Sequence, residues 1–265
     1  MLFHMLQYHK NITRAVINDI NPKLTTCYRV IKDNPNELIA ILSKIQEEYY
    51  ALTSEESRKE YYLSKRNEFN SYQSDIDMAA LFIFINRTCF NGLYRENRKG
   101  LYNVPFGKAE RPMICDANTI IADSSLLKNV KIMTGEYSQT LPNAEGNTLF
   151  YFDPPYRPLS STSSFNDYTK HPFDDDAQIR LKEFCDIVHQ NGFHFMLSNS
   201  DCLGQNGTDR FFDDLYDGYN INRVWAKRNV NSIASKRGKL TELLIRDFDG
   251  EYNNMFHQTY NYEGA

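Results

Sequence analysis

Long apolar segments are absent from this sequence, because no hydrophobic run approaches the length needed to cross a lipid bilayer. A transmembrane protein is therefore not expected. Met1–Tyr8 is too short for a secretory signal peptide and has no basic flank. The five cysteines are an odd number without a C-x-x-C pair, a pattern typical of reduced thiols in a cytoplasmic protein.

The chain also lacks the excess of basic residues that non-specific nucleic-acid binding requires, since its formal net charge is −4. Any contact with DNA must come from local basic patches. The six histidines show no metal-ligand spacing: His189 and His194 have no third ligand nearby, so no metal site is predicted. With 41% hydrophobic and 24% charged residues, the composition is that of an ordinary globular protein.

Residues 148–156 (TLFYFDPPY) combine an aromatic apolar run with a carboxylate and two prolines. The run Leu149–Phe152 predicts a buried strand. Because Pro154 and Pro155 cannot donate a backbone N–H to a ladder, the strand must end at Asp153. Asp153 is thereby placed at the carboxyl end of a parallel strand, where open α/β sheets bind ligands.

The Asp-Pro-Pro-Tyr tip is suited to hold a planar amino group. The two prolines leave backbone carbonyls that nothing local can satisfy, and with the Asp153 carboxylate they form a pair of hydrogen-bond acceptors. An exocyclic amine offers two matching donors, and the ring of Tyr156 offers a surface on which an aromatic base can stack. A strand followed by a Pro-Pro turn, with aspartate as a turn residue, is the structural alternative.

An acid also ends the strand predicted over Arg14–Ile20. In nucleotide-binding sheets an acid at the end of the second strand takes the ribose hydroxyls and follows a glycine-rich loop by about 20 residues. Counted back from Asp19, that loop would precede Met1. Asp19 is alternatively the N-cap of the helix predicted to follow, with Pro22 at an early helical position. Both interpretations can hold together.

Two segments concentrate basic residues in this acidic chain. Residues 87–111 carry six basic and two acidic residues, a local charge of +4, interleaved with Asn and aromatic side chains. Such a mixture suits DNA, with Lys and Arg contacting phosphates, Arg binding guanine and Asn binding adenine. Residues 227–239 hold five basic residues and no acid, which is typical of an arm that contacts phosphates. A solvated loop is the alternative interpretation of each segment.

Several motifs in this sequence resemble those of one enzyme family. Asp153-Pro154-Pro155-Tyr156 is similar to the catalytic motif of amino-group DNA methyltransferases. Residues 90–107 (FNGLYRENRKGLYNVPFG) resemble the DNA-recognition segment of the Dam-type, D12 class adenine methyltransferases. Further stretches follow in that family's order: INDINPKL at 17–24, PLSSTSSFNDYT at 158–169, LSNSD at 197–201 and TELLI at 241–245. The resemblance covers roughly residues 1–247.

The resemblance implies methyl transfer from the cofactor S-adenosylmethionine to the N6 of an adenine flipped out of double-stranded DNA, at a short palindromic target such as GATC. The implied catalytic residues are Asp153, Pro154, Pro155 and Tyr156. The implied cofactor-binding residues are Asp19, Glu136, Tyr137 and Asp153. The implied DNA-binding residues are Phe90, Asn91, Arg95, Asn97 and Lys108, to which the basic segment 227–239 adds Arg228, Lys236 and Arg237.

The sequence departs from the family at its start, where the family has a Lys/Trp/Gly-Gly segment and a Gly-rich loop for the cofactor. Neither is present here. The expected explanations are that the natural protein starts earlier, that a second chain supplies the missing N-terminal segment, or that the protein is a degenerate relative. A degenerate relative would be a non-catalytic, sequence-specific DNA-binding protein. Methylation of an RNA or protein amine by the same tip is a further alternative.

The expected fold class is α/β, with a Rossmann-like methyltransferase sheet that is mixed and mostly parallel. An antiparallel hairpin is expected at its C-terminal edge, a helical DNA-recognition insertion interrupts it, and its central first strand is expected to lie outside this chain. Residues 1–34 and 116–248 are predicted to form the catalytic domain, 35–115 the helical target-recognition domain and 249–265 a polar tail. The helix predicted over Asp174–Gln190, between two strands, supports a parallel crossover.

Overall fold

The computed structural model describes residues 1–71, 73–158, 173–226 and 240–249. These residues form six strands and nine α-helices in two compact units. Unit 1 contains residues 1–143, and the described part of unit 2 contains residues 144–158, 173–226 and 240–249. Of the helices in the described ranges, none combines the length and the apolar character that a membrane-spanning segment needs.

Unit 1 contains a two-stranded parallel sheet and six helices. Strand β1 (Ala15–Asp19) pairs with β2 (Val130–Thr134), so that the last residues of the two strands, Asp19 and Thr134, lie side by side. The helices of unit 1 are α1 (Leu2–Tyr8), α2 (Pro22–Asp33), α3 (Pro35–Tyr50), α4 (Glu55–Phe69), α5 (Asp75–Thr88) and α6 (Ala117–Leu127).

The helices of unit 1 begin where polar side chains satisfy their free N–H groups. Asn21 accepts hydrogen bonds from the second and third residues of α2, and Pro22 opens that helix. Ser54 forms a capping box with Ser57 at the start of α4, and Ser74 caps α5. α5 is the most buried of these helices, as its all-round apolar sequence predicts, and it packs against α2, α3 and α4.

Buried tyrosines attach the loop after α5 to the helical core. Tyr49 and Tyr62 are fully buried, and their hydroxyls donate to the backbone carbonyls of Ala109 and Val104. Burial raises the pKa of each phenol to about 12, so both remain neutral donors at physiological pH. The backbone of the basic segment 87–111 is therefore fixed to the helices by buried hydrogen bonds.

Unit 2 contains a four-stranded mixed sheet in the order β3-β4-β6-β5. β3 and β4 are parallel and are joined by a segment that includes α7, whereas β6 runs antiparallel to both β4 and β5. The strands are β3 (Leu149–Phe152), β4 (His194–Ser200), β5 (Asn220–Ala226) and β6 (Leu240–Arg246). The helices of unit 2 are α7 (Asp175–Gln190), α8 (Cys202–Asn206) and α9 (Phe211–Leu215).

β3 ends at Phe152, one residue before the predicted end at Asp153, and the two prolines lie outside the ladder because they have no N–H groups. The prediction that this strand is buried is wrong for one of its faces, because Leu149 is 44% and Tyr151 37% exposed. α7 begins after Asp174, whose side chain accepts from the N–H of Ala177. It ends before Gly192, whose φ of +77° is the left-handed conformation that glycine tolerates.

The observed strands confirm the predicted mixed α/β class with an antiparallel hairpin, β5–β6, at the C-terminal end of the sheet. Among the described residues, β1 pairs only with β2, and β3 pairs only with β4. The absence of the central first strand from this chain stays a prediction. The division into a catalytic domain and a recognition domain also stays a prediction. Helices from both predicted domains pack together in one hydrophobic core, that of unit 1.

All five cysteines are free thiols, as their number and spacing predict. Cys27, Cys89, Cys185 and Cys202 are buried, and Cys115 is half-buried. Burial raises the pKa of the Cys27 and Cys185 thiols to about 12, so these two groups are unreactive at neutral pH.

Candidate functional site

Asp153 follows β3 directly and its side chain is exposed. Its Oδ1 accepts a hydrogen bond from Ser198 Oγ at 2.8 Å, whereas within the described residues nothing donates to Oδ2 and no cation pairs with the carboxylate. Ser198 lies in β4, where Leu197 is opposite Phe152 of β3. The register of two parallel strands thus places Ser198 beside Asp153 and leaves one carboxylate oxygen uncommitted.

A second hydroxyl supports this contact. Tyr151 Oη lies 3.1 Å from Ser198 Oγ. A hydroxyl has one proton to donate, and Ser198 donates it to Asp153, so Tyr151 is the donor to Ser198. The chain Tyr151–Ser198–Asp153 therefore has a defined direction and orients the carboxylate through Oδ1.

Tyr156 is half-buried on the same segment. Its hydroxyl lies 3.5 Å from Oε2 of Glu242 in β6. Burial raises the pKa of the Tyr156 phenol above its ordinary value, and the negative charges of Glu242 and Asp153 add to the effect. The ring is consequently neutral at physiological pH, which suits stacking on an aromatic base.

The two proline carbonyls of the tip differ. The prediction that nothing local satisfies them is wrong for Pro155, whose carbonyl accepts a hydrogen bond from Gln178 Nε2 of α7 at 3.0 Å. The Pro154 carbonyl has no donor among the described residues. The acceptor pair that remains for a ligand is Asp153 Oδ2 and the Pro154 carbonyl oxygen.

Arg157, the nearest cation in the sequence, is directed to other acids. Its Nε and Nη2 donate to Asp175 at 2.7 and 3.0 Å, and its Nη1 donates to Asp209. The guanidinium also lies 4.4 Å from the ring centre of Phe211. These contacts fix the backbone after Tyr156 and leave the negative charge of Asp153 uncompensated by Arg157.

In unit 1 a second group of predicted residues lies at the carboxyl end of the two-stranded sheet. Asp19 is half-buried, and its Oδ1 accepts from the backbone N–H of Asn21 at 2.7 Å. The alternative that Asp19 caps the following helix is wrong, since Asn21 is the residue that caps α2. Oδ2 of Asp19 has no hydrogen-bond partner in the described part of the chain.

Glu136 and Tyr137 follow β2 at this same end. The backbone of Gly135 donates to the Asp19 carbonyl at 3.1 Å, and its own carbonyl accepts from Asn18 Nδ2 at 2.8 Å. Gly135 has a φ of +141°, which turns the chain sharply after β2. Glu136 is exposed and Tyr137 is half-buried. The structure therefore brings Asp19, Glu136 and Tyr137 to one edge of unit 1.

The basic segment forms a closed loop after α5. Phe90 N–H donates to the Pro105 carbonyl at 2.9 Å, and Gly107 N–H donates to the Thr88 carbonyl at 2.8 Å. A Cβ at Gly107 would lie 2.2 Å from the Cys89 carbonyl oxygen, so only glycine permits this crossing. The loop exposes the large apolar side chains of Phe90, Leu93, Tyr94 and Leu101.

The predicted DNA-binding residues of this loop have different environments. Phe90 and Asn91 are exposed, and Asn91 adopts the left-handed φ of +53°. Arg95 Nε donates to Asn103 Oδ1 at 2.8 Å. Asn97 Oδ1 accepts from two backbone N–H groups, those of Lys99 and Leu101, so its side chain also closes a turn. Lys108 is exposed and forms an ion pair with Glu55 at 2.8 Å.

The remaining predicted DNA-binding residues, Arg228, Lys236 and Arg237, lie outside the described residues. Most of the stretch 158–169 lies outside them as well.

His189 and His194, for which the sequence predicts no metal-binding role, both contact Asp247 through Nδ1, at 2.8 and 3.4 Å. No group of three or more metal-ligating side chains with the geometry of a metal site occurs within the described ranges.

Comparison with known protein families identifies the chain. The model of the D12 class N6 adenine-specific DNA methyltransferases matches residues 2–230. The chain belongs to this family. The resemblance inferred from the Asp-Pro-Pro-Tyr motif and the loop after α5 is thereby confirmed, and the protein is an adenine-specific DNA methyltransferase.

Curated relatives match the methyltransferase over most of its length. Type II methyltransferase M.MjaIII from Methanocaldococcus jannaschii is 43% identical over 252 residues, which cover 94% of this chain and 84% of the relative. Type II methyltransferase M1.LlaDCHI from Lactococcus lactis subsp. cremoris is 37% identical over 89% of this chain and 80% of the relative. A DNA adenine methylase from Vibrio cholerae is 32% identical over 87% of this chain and 79% of the relative.

The sequence does not identify the residues that contact the Asp-Pro-Pro-Tyr tip of the methyltransferase. Ser198 and Asn199 lie in the LSNSD stretch, a family motif that assigns them no individual role, and Gln178 lies inside α7 without any motif. Their roles depend on strand register and on the packing of α7 against the sheet. A buried polar residue on the apolar face of a helix, as Gln178 is on α7, is the signal that could have indicated a specific partner.

Proposed function

We propose that this methyltransferase transfers the methyl group of S-adenosylmethionine directly to the N6 of adenine, with the target base extruded from double-stranded DNA. The observation that carries the proposal is the exposed Asp153 carboxylate, which Ser198 holds by one oxygen while the other oxygen and the Pro154 carbonyl have no donor among the described residues. Two adjacent acceptors match the two N–H groups of an exocyclic amine.

Hydrogen bonds to both N6 protons would direct the nitrogen lone pair away from the ring system and toward the methyl donor. Tyr156, neutral and half-buried, would stack on the adenine and hold it in this orientation. Asp153 would also stabilise the positive charge that develops on N6 and take up the proton that leaves it. No covalent enzyme intermediate is required, so alignment and electrostatics are the contributions of these residues.

When bound, S-adenosylmethionine supplies the electrophilic methyl group. The residues at the carboxyl end of β1 and β2 fit such a cofactor, because Asp19 keeps one carboxylate oxygen uncommitted and half-accessible for a ribose hydroxyl. Glu136 would accept from the adenine amine of the cofactor, and the ring of Tyr137 would pack against the cofactor adenine. The support for these roles is that Asp19, Glu136 and Tyr137 all lie at the carboxyl end of the β1–β2 sheet.

The DNA would be bound by the loop after α5. Lys108 and the exposed Arg98 and Lys99 would contact phosphates, Arg95 and Asn97 would contact base edges, and Phe90 would pack against a base step. A short palindrome such as GATC is the proposed target. The support for this assignment is the local charge of +4 together with four exposed apolar side chains on a loop whose backbone is rigidly attached.

Incubation with duplex DNA and S-adenosylmethionine carrying a labelled methyl group tests the proposal. The expected product after digestion of the DNA is N6-methyladenine, formed faster in a GATC duplex than in a duplex with those four bases scrambled. Label on another base, on RNA or on protein would contradict the proposal. Specific DNA binding without any methyl transfer would instead identify a non-catalytic DNA-binding protein.

We further propose that a strand supplied by a second chain pairs with the open edge of β1. The support is that β1 pairs only with β2 in the described part of the chain, so half of its backbone groups have no strand partner. Hydrogen exchange provides the test, because the amides on an open edge exchange faster than those in a ladder. Protection of every β1 amide in the isolated chain would contradict this proposal.

Arg95→Ala is expected to relax sequence choice more than it weakens DNA binding at low salt. Loss of a two-point contact to one base costs about 1–3 kcal/mol of discrimination, equivalent to roughly 5- to 150-fold at that base pair. The measurement is the affinity for target and single-mismatch duplexes. Lys99→Ala is the matched control, because an exposed lysine contacting phosphate should weaken binding to every duplex alike. A uniform loss with Arg95→Ala would assign Arg95 to a phosphate.

A further inference from the structure

Two buried amide side chains contact the segment that follows the Asp-Pro-Pro motif. Gln178 of α7 is 1% exposed and Asn199 of β4 is fully buried. Gln178 Nε2 donates to the Pro155 carbonyl at 3.0 Å, and Asn199 Nδ2 donates to Gln178 Oε1 at 3.1 Å. Asn199 Oδ1 accepts from the backbone N–H of Arg157 at 3.1 Å. The two side chains thus form a bridge that begins and ends on residues 155–157.

The direction of every hydrogen bond in this bridge is determined. Asn199 Oδ1 accepts from two backbone N–H groups, those of Arg157 and Ser200, and only an oxygen can do so. The amino group of Asn199 must therefore face Gln178 Oε1, and the amino group of Gln178 must face the Pro155 carbonyl. Reversal of either amide would place two donors or two acceptors against each other in a buried site.

The bridge fixes both peptide groups that flank Tyr156. It holds the Pro155 carbonyl on one side and the Arg157 N–H on the other, and Ser200 Oγ donates to the Arg157 carbonyl at 2.7 Å. With the Pro155 carbonyl committed to Gln178, the Pro154 carbonyl is the acceptor of the pair that has no donor among the described residues. The bridge therefore determines which carbonyl is presented beside Asp153 and where the ring of Tyr156 lies.

We propose that Gln178 and Asn199 are positioning residues for methyl transfer, which hold the Pro154 carbonyl and Tyr156 in the geometry that the substrate amine requires. This inference rests on the proposed function of the same site. Neither side chain has to touch a substrate, because both act through the backbone of residues 155–157. A small displacement of the acceptor would misalign the nucleophilic nitrogen, and such errors reduce kcat more than binding.

Gln178→Met tests the role of the bridge, because methionine has a similar length but cannot form the two hydrogen bonds. We expect kcat to fall about 10- to 100-fold, while the Kd for target DNA changes less than about twofold, since the proposed DNA-binding loop lies in unit 1. The assays are run at a temperature at which circular dichroism shows the variant to be folded. Gln190→Met, at the exposed end of the same helix, is the matched control and should leave both constants unchanged.

Gln178→Glu provides a readout that a merely structural role would not give. A neutral carboxyl group can donate to the Pro155 carbonyl and accept from Asn199, but an ionised one cannot donate. The ratio of its kcat to that of the parent chain should therefore be close to one at low pH and should fall as pH rises and the glutamate ionises. For Gln178→Met, the same ratio should be low and constant at every pH. Asn199→Asp, which keeps the acceptor but loses the donor when ionised, should show the same direction of pH dependence.

Three results would overturn the positioning role. One is an unchanged kcat in folded Gln178→Met, another is a parallel loss of kcat and DNA affinity, and the third is a pH profile of Gln178→Glu that matches that of the parent chain. An active parent chain with any of these results leaves the proposed function intact. A parent chain that binds its DNA and cofactor without methyl transfer would instead overturn the proposed function, and the positioning role with it.

Discussion

Asp153→Asn is expected to reduce kcat by about 10²- to 10³-fold while leaving the affinity for target DNA unchanged within about twofold. The physical reason lies in the contact with Ser198. If the Tyr151–Ser198 hydroxyl chain keeps its direction, Ser198 donates to the asparagine oxygen, and the amino group replaces the uncommitted Oδ2. A donor would then face the two donors of the substrate amine, and the acceptor pair is lost without a change in side-chain size.

The measurements are single-turnover methyl transfer and DNA affinity by anisotropy. Asp176→Asn is the matched control, since Asp176 is an exposed residue in the first turn of α7, and its kcat should stay within about twofold of that of the parent chain. If Asp153→Asn lowers DNA affinity and folding stability as much as it lowers kcat, Asp153 has a structural role. Unchanged kcat would remove Asp153 from the mechanism altogether.

Strong local signals explain which elements could be predicted from the sequence. The end of β3 follows from two consecutive residues without an N–H, and the limits of α7 follow from the acidic cap at Asp174 and from Gly192. The apolar repeat does not predict α6, because the buried face of this helix includes Ser124 between Ile120 and Leu127. Its only clear signal is local, since the side chain of its cap, Asp116, accepts from the N–H of Thr119.

For the candidate site, the sequence predicts the residues of the motif but not the residues that orient them. The motif predicted Asp153 and Tyr156 because their chemistry can be deduced from residue type and strand end alone. The residues that orient them, Ser198, Gln178 and Asn199, come from elements 25 to 46 positions further along the chain, and their contacts follow from the register of β3 with β4 and from the rotation of α7. Sequence patterns give the faces of strands and helices but not the pairing of individual polar groups across them.

The ion pairs at the end of β4 are likewise not predictable from the sequence pattern. Asp201 directly follows that strand and is fully buried, yet the sequence offers no indication that its charge is balanced from β5. Arg223 Nε lies 3.1 Å from both carboxylate oxygens of Asp201, and its Nη2 lies 2.8 Å from Asp213. Thr241 Oγ1 and the N–H of Gly204 also donate to Asp201, at 2.6 and 2.9 Å. Arg223 is thus the cation that makes burial of Asp201 tolerable.

Arg223→Met is expected to lower the free energy of unfolding by about 3 kcal/mol, because it leaves the buried carboxylate of Asp201 without a counter-charge. Urea denaturation, analysed for the midpoint and the slope, measures the effect. Asp201 lies three residues after Ser198, so the loss should also loosen the strand end that holds Asp153. We therefore expect faster hydrogen exchange at Asn199 and Ser200 in this variant than in the parent chain.

Arg210→Met provides the matched control for the same side-chain change. Arg210 pairs with Asp214 on α9 through a single contact of 3.0 Å, and the two side chains are 59% and 66% exposed, so solvent screens their attraction. Its loss should change the free energy of unfolding by no more than about 0.5 kcal/mol. Equal effects of the two substitutions would mean that burial of Asp201 does not depend on Arg223. The hydrogen bonds from Thr241 and Gly204 would then be sufficient to stabilise the buried charge of Asp201. The end of β4 would in that case hold Ser198 in place without Arg223.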